Sequence, residues 1–503
     1  MSDLSARAER AVADESLQRA LRNLDRRLYT THDVASQHGD LKDRAAAIRR
    51  STLADLDGWL DALEARLHEL GVHVHRAATP EDARRVVLGI VERAGGRRVA
   101  KGKSMATEEI ALNDALEAAG IRTVETDLGE YIVQLAGEPP SHMITPAIHK
   151  TLEQIRDVLS EEAGEELPLS REALTEWARA RLREEFLAAD VGITGVNFAV
   201  AETGTLVIVT NEGNGRFCTT LPRVHVAVMT VEKVVPRFAD LAVLLPLLTM
   251  SATGQPLSNY LTMLTGPRRA GERDGPDELH LVVLDHRRRA LVGTPYEEML
   301  ACIRCGACLN VCPVYRKIGG HAYDAVYSGP MGTVLTPLLS GGEAGRDLPA
   351  ASTLCGACTE ACPVEIPLAD LIVRLRGDLR DPAPLAPERW EATGQSSSRP
   401  PARLPGEGFA WPRSHAPLPV TRPRPRTRRT RRVGFGVWAW AWSDPSRYRA
   451  SNAVARVTSR VLGRAWTARA PLLRGWTSSR DLPLPAARPF RDRWRERETT
   501  GEW

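Results

Sequence analysis

Seven of the eight cysteines in this 503-residue chain lie between Cys302 and Cys362. The first run, Cys302-Ile-Arg-Cys305-Gly-Ala-Cys308-Leu-Asn-Val-Cys312-Pro313, is C-x2-C-x2-C-x3-C-P. That is the bacterial ferredoxin spacing, in which three thiolates converge on one cubane cluster and the fourth, before proline, serves a second cluster. The second run, Cys355-Gly-Ala-Cys358-Thr-Glu-Ala-Cys362-Pro363, repeats the pattern without its first cysteine. Aligning the two runs puts Ser352 where Cys302 stands.

The crossing rule assigns Cys302, Cys305, Cys308 and Cys362 to cluster 1, and Cys312, Cys355 and Cys358 to cluster 2. Cluster 2 then lacks one thiolate. Three readings stay open: an oxygen from Ser352 or an exogenous group on the fourth iron, a three-iron cluster, or a site that loses iron easily. Zinc also binds paired C-x2-C, but a zinc ribbon uses two such pairs for one ion, and this constellation holds too many thiolates for that. Two clusters joined by crossed ligands make a module that passes single electrons in series. Cys218 stands apart and reads as a small buried side chain.

Clustered cysteines of this kind belong to a reducing compartment. The first ten residues carry no apolar stretch of the sort a secretory signal needs. The greasiest segment, Leu241 to Met250, is too short to span a bilayer and contains Pro246. A cytoplasmic location is the expectation, with a buried helix at 241–250. The net charge of +4 is small for this length and argues against a general nucleic-acid binder.

Apolar periodicity divides the chain into five parts. Residues 1–70 carry Leu, Ala and Ile at helical spacing. Residues 71–294 alternate short β-branched runs (VHVHRA, RRVAKGKS, IRTVETDL) with helical stretches such as TEEIALNDALEAAG, which predicts an α/β sheet domain. Helices are expected around Pro146 to Ala163 and Ser170 to Ala188. Val196 to Asn211, RVHVAVMTVEKVVP and HLVVLDHRR are read as paired strands of that domain. Residues 295–380 hold the cysteines and should be mainly helical. Residues 381–432, with a basic run from Arg422 to Arg432, read as an unfolded Pro/Arg linker, and 433–503 as a partly disordered tail with a small helical part.

Candidate binding groups in the α/β part are fewer. Lys101-Gly102-Lys103-Ser104 sits between a strand and a helix, where its amides and lysines could hold a carboxylate or phosphate; alternatively Ser104 or Thr107 simply caps the helix. Glu202, beside Gly204, could serve as base or nucleophile or pair with a lysine. Asn211-Glu-Gly213-Asn-Gly215-Arg216 is a glycine-rich turn, an anion loop or a hairpin, and is not a dinucleotide fingerprint because no third glycine and no helix are expected there. His142 and His225 are acid-base candidates that more simply read as hydrogen-bonded structural histidines.

Several stretches resemble the lactate utilization protein B family: GKSMATEEI (102–110), ETDLGEYIVQL (125–135), PSHMITPAIHK (140–150), GITGVNFAVAETGTLVIVTNEGNGR (192–216), LPRVHVAVMTVEKVVP (221–236) and GTPYEEMLACIRCGACLNVCPVYRKIGGHAY (293–323). The likeness runs from about 50 to 380 and returns in GWTSSRDLPLPAARPFRDRWRER; the Arg/Pro linker departs from it. The resemblance implies an α/β LUD-type domain similar to sugar-isomerase and CoA-transferase folds, then a ferredoxin-like dicluster domain with two iron-sulfur clusters of 4Fe-4S type, the second a possible 3Fe-4S. It further implies an electron-transfer subunit that oxidises L-lactate to pyruvate together with two other proteins, one cysteine-rich and iron-sulfur, one a lone LUD domain. No flavin motif is visible. Two rival readings remain: the α/β domain is itself a 2-hydroxy-acid dehydrogenase with the clusters as internal acceptor, or the clusters only stiffen a binding module.

Overall fold

The computed structural model describes residues 4–25, 27, 31, 38–256, 258, 260–380, 385, 436–437, 439–454, 457 and 494. The described strands are β1 (His73–Ala77), β2 (Arg98–Lys101), β3 (Arg122–Glu125), β4 (Val191–Gly195), β5 (Phe198–Val200), β6 (Thr205–Thr210), β7 (Val224–Thr230), β8 (Val234–Val235), β9 (Tyr260–Leu264) and β10 (Glu278–Leu284). Six form a wholly parallel sheet in the order β1-β10-β7-β4-β2-β3. Strands buried on both faces need continuous apolar runs. β7, VHVAVMT, is buried at every position.

Helices cover both faces. Pro80–Arg93 starts on a Thr79/Asp82 capping box with proline in its first turn, and sends Ala83, Val87, Ile90 and Val91 against one face of the sheet. Leu56–Glu69 covers the other face with Leu56, Leu60, Leu63 and Leu67. The expected helix TEEIALNDALEAAG breaks in two at Ala111, which takes φ +47°. The helix expected from Pro146 starts later, at Leu152, where Thr151 caps it; 146–149 form turns instead.

The run Val196 to Asn211 does not join the main sheet. It turns back at Gly204, whose φ of +67° suits a residue without a side chain, and β5 and β6 pair antiparallel in a second sheet ordered β8-β5-β6-β9. β9 completes that sheet and lacks any clear strand signal in the sequence.

Most of the N-terminal helical region attaches to the cysteine module. Arg7 Nε donates to the Ala322 carbonyl at 2.9 Å, and Gln18 Nε2 to the Lys317 carbonyl at 2.8 Å. The cysteine module is built of short helices, Ala307–Val311, Tyr315–Ile318, Gly329–Leu339, Ala357–Glu360 and Leu368–Asp378. Leu241–Thr253 is a helix packed into that module's core through Val243, Leu244 and Leu247. Among the described residues no helix is long and apolar enough to cross a membrane.

Residues 1–416 form one compact unit and 417–503 another. Within the second, 445–454 are helical, and Arg447 stacks over Trp440 at 5.0 Å. The linker expected at 381–432 lies outside the described residues except for Leu385, as does most of the 433–503 tail.

Candidate functional site

The two cysteine runs fold as local repeats. Arg304 and Leu354, each two residues past the repeat's start, take φ +63° and +56°, and Gly306 and Gly356 take +79° and +85°. A short helix follows each glycine. Each run then closes on a thiol that accepts a backbone N–H: Cys312 Sγ from Tyr315 at 3.5 Å and Cys362 Sγ from Ile366 at 3.3 Å. At Gly306 a Cβ would stand 3.2 Å from both His142 Cε1 and Ile144 Cγ1, so glycine is required there for space as well as for φ.

Cys305, Cys308 and Cys362 all lie within electrostatic reach of Cys302, Cys308 also of Cys358, and Cys358 of Cys312 and Cys355. Burial, then neighbouring thiols, pushes the Cys358 thiol up to about 11. Burial likewise raises Cys362 to about 12, against the Ile366 N–H. Buried, crowded thiols become thiolates only beside a cation, which fits iron. Among the described residues the one trio of metal-ligating atoms mutually within 4.8 Å is Glu138, His149 and His321.

A buried cation network lies against the first run. Arg49 donates to the carbonyls of Val234 (2.9 Å), Leu300 (3.2 Å), Ala301 (3.3 Å) and Glu232. Arg304 pairs with Glu232 at 2.8 Å and stacks over Tyr327 at 5.2 Å. Arg288 binds both Glu232 (3.0 Å) and Glu109 (2.6 Å). Against the cost of its own burial, Glu232 is held below the usual carboxylate range by Arg288 and Arg304. Burial and the charge of Arg304 push Lys233 down to about 7, with Glu232 and the Cys302 thiolate opposing. Three guanidinium groups, Arg49, Arg288 and Arg304, thus face two carboxylates, a surplus that suits an anionic cluster at Cys302.

Next to this network is a cavity of about 930 Å³. Lys103 and Ser104 after β2, Asn197 after β4 and Lys233 after β7 line it, and Arg304 of the first cysteine run lines it too. Lys101, two residues from Lys103, does not reach it. It is fully buried and ion-paired with Glu108 at 2.9 Å and with Glu125. Ser104 caps the helix Met105–Glu109, as the simpler reading of that turn has it, and also lines the cavity.

The other sequence candidates fall elsewhere or act locally. Glu202 is exposed in the β5–β6 turn and accepts the Phe238 N–H at 2.8 Å, away from the cavity lining. Asn211 to Arg216 is not a hairpin: contrary to expectation a helix, Asn214–Thr220, follows the turn, and Asn211 and Glu212 line the cavity. Cys218 and Thr219 of that helix are buried, which explains why a turn so rich in glycine continues as a helix. His142 Nδ1 accepts the N–H groups of Ile144 (3.0 Å) and Thr145 (3.3 Å), and burial pushes it down to about 3. His225 shares a 2.8 Å hydrogen bond with Thr194 and is likewise neutralised by burial. Cys218 is fully buried beside Thr126, its thiol raised to about 12 by burial. Ser352 Oγ accepts the Leu354 N–H at 3.2 Å, a turn-closing role within the second repeat.

Sequence reasoning missed Arg49, Glu232, Arg288 and Tyr327, whose partners lie far along the chain. It also missed the meeting of Glu138, His149 and His321. Each of these already has a partner: Glu138 binds His149 (2.7 Å) and Lys150 (2.8 Å), and His321 binds the Pro139 carbonyl (2.8 Å). The trio fastens the α/β domain to the cysteine module.

A parallel α/β sheet joined to a two-repeat cysteine module defines an iron-sulfur protein, and comparison with known families agrees. Residues 60–284 match the LUD domain, 298–366 the 4Fe-4S dicluster domain, and 403–499 the C-terminal domain of lactate utilisation protein B. Lactate utilization protein B of Macrococcus caseolyticus is 43% identical over 93% of this chain and 90% of its own, and that of Bacillus subtilis is 46% identical over 76% and 81%. An Escherichia coli protein described as the uncharacterized electron transport protein YkgF is 48% identical over 75% of this chain and 80% of its own. The chain belongs to the lactate utilization protein B family. Its role is an iron-sulfur one in lactate utilization.

Proposed function

We propose that this chain is the electron-transfer subunit of a cytoplasmic system that oxidises L-lactate to pyruvate. Two 4Fe-4S clusters carry the electrons, one held by Cys302, Cys305, Cys308 and Cys362, the other by Cys312, Cys355 and Cys358, with one iron of the second lacking a thiolate. The observation that carries this reading is that the two cysteine runs fold as matching loops whose short helices, Ala307–Val311 and Ala357–Glu360, pack against each other. When bound, such clusters accept and release one electron at a time. The chain's own residues exclude water from the first cluster and set a positive field around it through Arg49, Arg304 and Arg288. Cys355, exposed, leaves the second cluster nearer solvent and suits it to exchange electrons with another protein. Two further lactate-utilization proteins, one cysteine-rich and one a lone LUD domain, are the proposed partners. The LUD domain itself is proposed to be of the sugar-isomerase and CoA-transferase type.

Anaerobically reconstituted protein tests this. Bleaching of the visible cluster absorption by L-lactate should require the partner proteins; bleaching by lactate alone would move the oxidation into this chain, a reading the cavity beside Arg304 keeps open. Near eight irons per chain are expected. Cys362→Ser should damage the first cluster, and loss of the second alone would refute the crossed ligand set.

A further inference from the structure

The α/β domain and the cysteine module meet at three side chains that electron transfer between clusters does not use. Glu138 and His149 lie on the stretch between the helices Leu128–Leu135 and Leu152–Ala163, and His321 lies in the cysteine module, nine residues past Cys312. Each offers one ligand atom, and the three atoms lie within 4.8 Å of one another. Two ligands about 2.0–2.1 Å from one tetrahedral ion stand roughly 3.4 Å apart, so closing even a gap of 4.8 Å moves each atom by less than about 1 Å.

The hydrogen bonds around the trio orient it as ligands are oriented. Lys150 Nζ holds Glu138 Oε1 at 2.8 Å, which leaves Oε2 against His149 Nε2 at 2.7 Å. Against the cost of burial, Lys150 and His149 hold that carboxyl below its usual range, so it is an anion. His321 Nε2 meets the Pro139 carbonyl at 2.8 Å, where it can only donate; the neutral ring then keeps its lone pair on Nδ1. A metal-binding imidazole usually donates its other N–H in this way. The two imidazole rings have centroids 4.3 Å apart, and His149 Nδ1 is buried without a hydrogen-bond partner among the described residues. Hydrogen bonding alone thus leaves the cluster incompletely satisfied.

The backbone that carries these groups is pinned from both sides. Tyr315 Oη donates to the Ser141 carbonyl at 2.8 Å, the Gly320 N–H to Ser141 Oγ at 3.1 Å, and the Ser141 N–H to the Pro146 carbonyl at 3.0 Å. Ligands on backbone already fixed bind an ion with little further ordering.

We propose that Glu138, His149 and His321 form a mononuclear zinc site that clamps the α/β domain to the cysteine module. Two imidazoles and a carboxylate make a zinc-type donor set, unlike the all-oxygen sets of calcium and magnesium, and three protein ligands leave a fourth position for water. His321 is exposed, so water reaches it. The set contains no sulfur, which separates it from zinc misplaced among the cluster cysteines.

The test uses the full chain with its clusters reconstituted anaerobically, incubated with a small excess of zinc and desalted. Elemental analysis should find about one zinc per chain at unchanged iron, and X-ray absorption at the zinc edge should show nitrogen and oxygen neighbours at about 2.0–2.1 Å with no sulfur near ~2.3 Å. His149→Gln and His321→Gln should each weaken zinc at least roughly tenfold, as loss of even an outer-shell partner does, with iron and cluster absorption unchanged. Zinc should also slow amide exchange across 138–150 and 315–323 together, because the ion ties both. No zinc retained by the iron-loaded parent chain, zinc bound through sulfur, undiminished zinc in both variants, or exchange unaffected by zinc on either side would each overturn the proposal. Should a glutamine variant lose its clusters, the neighbours of zinc in the parent chain decide alone.

Discussion

Replacing Glu130 with glutamine should make the α/β domain more stable in mild alkali. Glu130 lies in the helix Leu128–Leu135, 2% exposed, with Oε1 unpartnered. Burial, then the charge of Glu125, raises its carboxyl from 4.5 to about 8, with Lys103 opposing. The folded chain therefore keeps a proton that the unfolded chain has released between these values. Because the folded pKa is the higher one, the contribution is fully present below pH 4.5 and is lost as pH rises towards 8. One unit is worth ~1.36 kcal/mol, so about 5 kcal/mol disappears across that window. Glutamine keeps the shape and never ionises. Amide exchange resolved over 122–135, corrected for the intrinsic pH dependence of exchange, should show local stability falling with pH in the parent chain and nearly flat in Glu130→Gln. Equal slopes in the two proteins would refute the argument, since they would mean that Glu130 is already ionised in the folded chain.

Three further outcomes concern the cysteine module. Arg304→Gln removes a buried cation beside the first cluster and should lower its reduction potential by on the order of 50 mV, read by paramagnetic-resonance redox titration; Arg288 remains to balance Glu232. Ser352→Cys should supply the missing thiolate, so that air oxidation no longer produces a three-iron signal. Gly306→Ala should sharply reduce iron incorporation, because left-handed backbone costs a side chain ~1–2 kcal/mol and the new Cβ also crowds His142 and Ile144. Gly356→Ala, with nothing within 4 Å of the new Cβ, should retain most of its iron, and equal losses in the two would remove the crowding argument.

Much of this was legible in the sequence where the physics is local. Cysteine spacing limits which thiols can converge, and the apolar runs of β7 and β10 mark buried strands without reference to their partners. The second sheet was harder to see: Val196 to Asn211 has the composition of a core strand, and only the turn at Gly204 and the distant pairing of β6 with β9 divert it. Lys101 and Lys103 are indistinguishable as letters. Lys101 ends β2 and is buried among carboxylates, whereas Lys103 stands in the loop after the strand and lines the cavity. Glu202 looked like a reactive carboxylate because it sits beside a glycine in a strand-like run, yet that glycine makes the turn that carries it to the surface.

The least legible feature is also the one that joins the two halves of the molecule. Arg304 lies between Cys302 and Cys305, so its backbone belongs to the cluster loop, and φ +63° follows from the tight turn between those thiols. Its side chain leaves the loop for Glu232, 72 residues earlier and just past β7, and lines the cavity. Glu232 in turn holds Arg288, which binds both oxygens of Glu109, and Glu109 Oε2 also accepts the Tyr327 hydroxyl at 2.7 Å; Tyr327 lies under Arg304. The chain of contacts closes on itself, and each charged member is buried with its partner, so removing one leaves another uncompensated. Close backbone contact reinforces the join: a Cβ at Gly320 would stand 1.7 Å from the Ser141 carbonyl oxygen. A cavity and a cluster loop tied together in this way cannot shift separately. Any molecule bound in the cavity is therefore held at a fixed place relative to the first cysteine run.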